Sequence, residues 1–352
     1  MLMFFVQKRS IRKCRLSNSM LFVEKTGLDK MRMLRSIIYL MTACVLCLTV
    51  YVFTGYRDSV SAEKEAPVVA SFTTSPLVSS VVRFCGEDVD ISRYNMREGM
   101  DRELSSFTYF HSSTMLLIKR ANRYFPIIEP ILKANGIPDD FKYLAVIESN
   151  LDPRATSPAR AAGLWQFMEA TGKGYGLRIT PTVDERRHIV KSTEAACKYL
   201  KEAYGKFGNW LTVASSYNAG MGRISGQINK QGETSVLNLY LVEETTRYPY
   251  RILAMKQIFE NPYKYGFVLR AENLYSPIDC IEVDVDKDIT DLAAFARENG
   301  ITYYDLKFFN PWLKDTKLVT GGAKYKILVP NKNELYYNSP NFYVHDKRWV
   351  VN

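Results

Sequence analysis

A carboxylate on the apolar stripe of a short helix is the feature that most limits what this 352-residue chain can become. The stretch from Phe141 to Met168 reads FKYLAVIESNLDPRATSPARAAGLWQFM. Phe141, Leu144 and Ala145 fall at i, i+3 and i+4 of a helical period, and Glu148 follows at i+7. Asp139 and Asp140 are candidate N-caps, and Asn150, Asp152 and Pro153 supply the turn chemistry that ends the helix. Glu148 is therefore expected near a helix end, beside a loop, with its carboxyl on the face the helix buries. Desolvation raises a carboxyl's pKa, and a carboxyl that keeps its proton near neutral pH is a general acid.

The loop beyond Glu148 carries Ser157 and then Gly163-Leu164-Trp165-Gln166-Phe167-Met168. Two aromatic rings, a thioether and one amide suit a saccharide, because rings stack on sugar faces while a few polar groups orient hydroxyls. Farther along, Ser192 or Thr193 is expected to cap a helix with Ala195, Ala196, Tyr199, Leu200, Ala203 and Phe207 on one stripe, broken at Gly208-Asn209. A second helix from Trp210 is expected to end at Tyr217-Asn218-Ala219-Gly220, where both polar tips can reach the cavity of Glu148.

Glu148-Ser149, Ser157, Gly163 to Met168 and Tyr217 to Gly220 stand in the order of a known family. Between about Val82 and Pro330 the chain resembles soluble-lytic-transglycosylase-type domains, the membrane-bound lytic murein transglycosylases among them. That resemblance implies a mainly α fold with a lysozyme-like, goose-type helical catalytic domain. It implies cleavage of peptidoglycan between N-acetylmuramic acid and N-acetylglucosamine, with Glu148 as single general acid and base and the substrate's C6 hydroxyl as attacking group, giving a 1,6-anhydro ring. Ser149, Ser157, Gly163, Trp165, Gln166, Phe167, Met168, Tyr217, Asn218 and Tyr248 are the implied substrate-binding set. Within it, Ser157 would hold the 2-acetamido group or orient Glu148, and Gln166 and Met168 would line sugar sites. Tyr217, Asn218 and Tyr248 would hold Glu148 and the oxocarbenium-like centre. The chain departs from the family at Pro158-Ala159-Arg160-Ala161, where a Gly-containing stretch is usual, and at the polar Ser215-Ser216. A lysozyme-like hydrolase would need a second carboxylate such as Asp152 or Asp184. A non-catalytic peptidoglycan-binding protein would leave Glu148 without a purpose.

The remaining chain frames this centre. Residues 1–35 hold nine Lys or Arg against Glu24 and Asp29, which is +7 of the net +10. The rest shows no basic stripe and no RNA or DNA module, so nucleic acid is excluded as a partner. Residues 36–56 contain no charge and have about the length that spans a bilayer. Behind a basic leader they predict an anchor or export segment with the bulk of the chain outside, hence membrane attachment and a cell-envelope location. Met31 would begin a leader of ordinary proportions. Residues 57–80 read as a linker and 81–276 as the catalytic domain, with scaffold helices from Met96 to Ala134 and a further helix after Pro249.

Residues 277–330 change pattern to strand (Ile281 to Val285), helix (Thr290 to Asn299), helix (Tyr303 to Phe309) and strand (Tyr325 to Val329). That order resembles a LysM module, a βααβ glycan-binding fold, although Asp286-Lys287-Asp288-Ile289-Thr290 replaces the usual Gly-Asp-Thr. Residues 331–352 form a tail. Thr171 to Gly176, TGKGYG, reads as a helix-ending turn, since no strand precedes it as a phosphate loop requires. Asp184-Glu185-Arg186-Arg187 reads as a solvated or salt-bridged face, with both acids candidates for a cleft rim. Six scattered cysteines and three histidines have no ligand spacing, so neither a metal nor a cofactor is expected.

Overall fold

The computed structural model describes residues 33–49, 74–336 and 342–351. Residues 33–49 form helix α1, whose side chains are exposed. Among the described residues no helix is long and apolar enough to cross a membrane. Part of the expected span, residues 50–56, lies outside the described residues, as do residues 1–32 of the leader and most of the linker.

From residue 74 onward the chain forms one compact unit. The sequence around Val81 to Asp90 makes a hairpin of β1 (Val81–Phe84) and β2 (Glu87–Asp90), paired antiparallel with Phe84 opposite Glu87. Helices α2 (Tyr94–Tyr109) and α3 (His111–Ala134) follow, divided at Phe110. Then come α4 (Lys142–Ser149), α5 (Glu169–Gly174), α6 (Ile189–Phe207), α7 (Trp210–Ala219), α8 (Met221–Gln231) and α9 (Glu243–Glu260). The chain is mainly helical, and its C-terminal part adds a small sheet.

The short helix α4 departs from the expected one-sided stripe, since every residue from Lys142 to Ile147 is buried. It is a central helix, walled by α3 and α9. Neither expected cap acts as one. Asp140 instead accepts from the Cys85 backbone N–H (2.6 Å) and the Lys256 ammonium (2.8 Å), and Asp139 pairs with Lys142 (2.5 Å). These bonds tie the entry of α4 to the hairpin and to α9. Ser192 and Thr193 are likewise not caps. Helix α6 starts earlier, capped by His188 Nδ1, and both hydroxyls bond back to the Ile189 carbonyl. Helix α9 begins at Glu243, with Pro249 inside it rather than before it. Burial of Tyr248, Tyr250, Ile252 and Leu253 outweighs the proline's preference for a helix start.

The C-terminal part follows its expected order: β3 (Cys280–Val285), α10 (Leu292–Glu298), α11 (Tyr303–Phe309) and β4 (Tyr325–Pro330), with β3 and β4 antiparallel. Its apolar core, built on Leu292, Leu306, Trp312, Leu318 and Ile327, also takes in Val183 from the helical part. Residues 182–184 run alongside residues 312–314: the Asp184 N–H donates to the Trp312 carbonyl (2.8 Å) and the Lys314 N–H to the Thr182 carbonyl (2.9 Å). The His188 ring stacks on Trp312 at 5.8 Å. The tail then returns to the helical part. Trp349 is buried against Phe125 and Phe259 and donates its indole N–H to the Phe259 carbonyl, while buried Asn122 bonds the backbone of Tyr343 and His345.

Candidate active site

Glu148 sits in the last turn of α4. The helix stops because Asn150 turns left-handed (φ 53°), its N–H closing on the Val146 carbonyl, and Leu151 follows at φ 52°. Of five non-glycine residues with positive φ among the described residues, Asn150, Leu151, Arg160 and Gln166 all fall between Phe141 and Met168. Backbone strain of this kind, about 1–3 kcal/mol per residue, persists only where the surroundings enforce it, and it clusters at functional sites.

Across from Glu148, α9 presents Tyr248, which is buried and donates its hydroxyl to the Glu148 carboxylate. Glu244 and Arg251 lie one turn to either side of Tyr248 on the same helix face. Burial pushes the Glu148 carboxyl up to about 7, against the opposing pull of the Tyr248 hydrogen bond and the Arg251 charge, with Glu244 adding to the rise. The Tyr248 phenol is driven well above its usual range by burial and by Glu148. Glu244 and Arg251 also border a cavity of about 460 Å³ with Phe107 and the Glu103–Arg247 ion pair (2.7 Å).

Tyr217 and Asn218 reach this centre indirectly. The Tyr217 hydroxyl donates to the Trp165 carbonyl (2.7 Å) rather than to Glu148, though burial, and after it the Glu148 charge, raises its pKa. The Asn218 amide donates to Glu244 (3.3 Å), and its oxygen accepts from Thr245 (3.1 Å). Asn218 thus bridges the ends of α7 and α9.

The loop from Ser157 to Met168 divides into framework and surface. Trp165 is fully buried with its indole N–H on Thr193 (2.9 Å), and buried Phe167 packs on Tyr217 and Tyr175. Neither ring has a free face for a sugar, so the stacking role expected of them is corrected to core packing. Ser149 is buried and donates to the Ala145 carbonyl, which leaves it facing its own helix. At Gly163 (φ 82°) the Arg186 carbonyl lies where a Cβ would stand, so this glycine serves a close backbone approach rather than a ligand. Ser157, Gln166 and Met168 do reach solvent. The Ser157 hydroxyl accepts from the Ala161 N–H (3.0 Å), and the Gln166 amide donates to the Gly163 carbonyl (2.8 Å).

Asp184 and Glu185 are not at a rim. Both are buried, and Asp184 grips the Arg186 guanidinium through two bonds (2.9 and 2.8 Å). Arg186 in turn donates to the carbonyls of Arg160 (2.9 Å) and Phe167 (3.1 Å), holding the loop from behind. Sequence reasoning missed Arg186, Glu244 and Arg251. Spacing of i−4 and i+3 from Tyr248 was a usable signal for the last two, whereas nothing local marks Arg186.

Comparison with known proteins bears on this geometry. Residues 125–239 match the Transglycosylase SLT domain. Residues 281–333 match the soluble lytic transglycosylase C-terminal LysM-like domain. The chain carries both, in that order. Membrane-bound lytic murein transglycosylase D of Escherichia coli K12 is 32% identical over 243 residues, covering 68% of this chain and 52% of that protein. Peptidoglycan transglycosylase gp16 of Escherichia phage T7 is 36% identical over 104 residues, 29% of this chain and 8% of that protein. The crystal structure of the 70 kDa soluble lytic transglycosylase of Escherichia coli aligns with a TM-score of 0.36 at 18% identity, covering 48% of this chain and 31% of that one. The chain spans about half the length of the curated transglycosylase D it matches.

Proposed function

We propose that this chain is a peptidoglycan lytic transglycosylase of lysozyme-like fold, acting through Glu148 alone. The reading rests on one arrangement: the Glu148 carboxyl, which burial raises to about 7, is held by buried Tyr248 at the end of a short helix that stops in the left-handed residues Asn150 and Leu151. Protonated Glu148 donates to the glycosidic oxygen, the C1–O bond breaks, and N-acetylglucosamine leaves with a free 4-hydroxyl. The resulting carboxylate then takes the proton of the C6 hydroxyl as O6 bonds to C1, which closes the 1,6-anhydro ring and restores the acid. No water is consumed. Ser157, Gln166 and Met168 line the sugar sites, and Tyr248 orients the acid.

The carboxylates that a hydrolase would need are engaged elsewhere. Asp184 is buried under Arg186, and Asp152 pairs with Arg154 at 3.2 Å. Glu244 is the carboxylate that does influence Glu148, and it is bonded to Asn218. The basic leader, the uncharged run of residues 36–56 and the names of the relatives support a place at the cell envelope, with membrane attachment through that run. Residues 81–276 form the catalytic domain and 277–330 the LysM-like module in this reading.

The test is mass spectrometry of soluble products from purified peptidoglycan incubated with the full-length protein, Glu148→Gln and Glu244→Gln. Anhydro-muropeptides from wild type and Glu244→Gln, absent with Glu148→Gln, are expected. Products with reducing ends would instead mean hydrolysis.

A further inference from the structure

Behind the loop that follows Glu148 lies a second, smaller cavity of about 200 Å³, enclosed by α3, that loop and Phe308 of α11. Its wall is cationic. Arg120 and Arg123 stand one turn apart on α3, and Arg154 faces them from the loop. Asp152 takes up the charge of Arg154 at 3.2 Å. Among the described residues neither Arg120 nor Arg123 has a carboxylate within ion-pair distance. Neutral groups hold them instead. Arg120 donates to the Asn150 carbonyl (2.8 Å), and Arg123 donates to the Ser276 carbonyl (3.0 Å) while lying over the rings of Tyr275 and Phe308 at 5.6 and 5.8 Å. A guanidinium has five N–H donors, so most of theirs remain open. Tyr124 lines the same cavity, its phenol acted on by the charges of Arg123, Asp152, Arg120 and Arg154, and its hydroxyl makes no hydrogen bond among the described residues.

Three guanidiniums line this cavity with one carboxylate, Asp152, already paired to Arg154, so its wall keeps a net positive charge that an anion would offset, and the planar forks of Arg120 and Arg123 match a carboxylate. The space is below the roughly 300 Å³ at which sites for drug-sized ligands begin, so it takes one small charged group and not a run of sugars. Its lining residues Leu151 to Arg154 follow Glu148 almost directly in the chain. In a peptidoglycan strand the groups of that kind nearest the glycan are the carboxylates of the peptide stems. Resting on the function proposed above, we infer that the Arg120–Arg123 cavity binds a stem carboxylate, so that the enzyme distinguishes peptide-bearing strands from bare ones.

The experiment compares initial rates of the full-length protein, Arg120→Gln and Arg120→Lys on two strand preparations, one with native stems and one stripped of them by an amidase, with melting temperatures as a folding control. Wild type should favour stem-bearing strands by about tenfold in kcat/KM, the scale of one charged hydrogen bond. Arg120→Gln should lose that preference through KM with its rate on bare strands unchanged, and Arg120→Lys should recover part of it. Equal losses on both preparations, or none on either, would overturn the inference. Should wild type cleave neither, the function fails and the cavity is judged separately, by NMR titration with the stem dipeptide L-Ala-γ-D-Glu. Shifts of Tyr124 resonances that vanish in Arg120→Gln support the site. No shifts, or the same response to acetate at the same concentration, overturn it.

Discussion

Replacing Glu148 by Gln should make the protein more stable at the pH where it loses activity. The Glu148 carboxyl moves from an ordinary 4.5 to about 7 on folding, because burial disfavours its charge. A group raised in this way contributes its full stability below the unfolded value, near 4.5, and loses it as pH rises through about 7. Each pKa unit corresponds to about 1.4 kcal/mol, so ionising Glu148 costs the fold about 3 kcal/mol by about pH 8. A glutamine at this position carries no such dependence, and whatever its bond to Tyr248 contributes is the same at both pH values. Urea denaturation of wild type and Glu148→Gln at about pH 4 and about pH 8 isolates the effect, since other titrating groups cancel between the two proteins. The stability difference should change by about 3 kcal/mol in favour of the glutamine form at the higher pH. A difference that is flat with pH, or that favours wild type at about pH 8, would falsify the claim that desolvation dominates at this carboxyl.

Tyr248→Phe removes the hydrogen bond that pulls the Glu148 pKa down, so the alkaline limb of the pH–rate profile should move up by about one pH unit; a downward move would contradict it. Gly163→Ala should cost more than about 3 kcal/mol or prevent folding, because its Cβ meets the Arg186 carbonyl at positive φ. Gly205→Ala, in α6 with open space around its Cβ position, should be neutral or stabilising by up to about 1 kcal/mol, and urea denaturation of both glycine variants measures the contrast. Trp349→Ala should cost about 3–5 kcal/mol in chemical denaturation, since its ring is packed on Phe125 and Phe259 and its indole N–H is bonded.

The chemistry of the site was more legible in the chain than its packing. Glu148 near a helix end, the break at Asn150, and the strand–helix–helix–strand order after residue 280 all follow from local rules, and all are present. The aromatic loop misled. Trp165 and Phe167 read as sugar platforms because composition says what a ring can do but not which way it faces. Their burial is decided by Thr193, Tyr175 and Tyr217, all remote in sequence. The run from Asp184 to Arg187 is salt-bridged, one of the two expected forms, but as rim candidates Asp184 and Glu185 misled for the same reason, since both are buried where residues 182–184 run beside residues 312–314. The return of the tail to place Trp349 against α3 and α9 had no local signal, being fixed by the space those helices leave.

Val183 has a meaning for how such a protein can be taken apart. A segment between α5 and α6 lends its side chain to the core around Trp312 and Leu318, and its backbone to the edge beside Leu313. A cut at residue 276 would leave one fragment with a valine-sized hole and an unanswered Lys314 N–H, and the other with a bare apolar side chain next to the Asp184–Arg186 pair that braces the loop. Neither piece is a bead that can be moved to another string. The portable unit, for a protein engineer or for gene fusion, is the whole span from residue 74 onward.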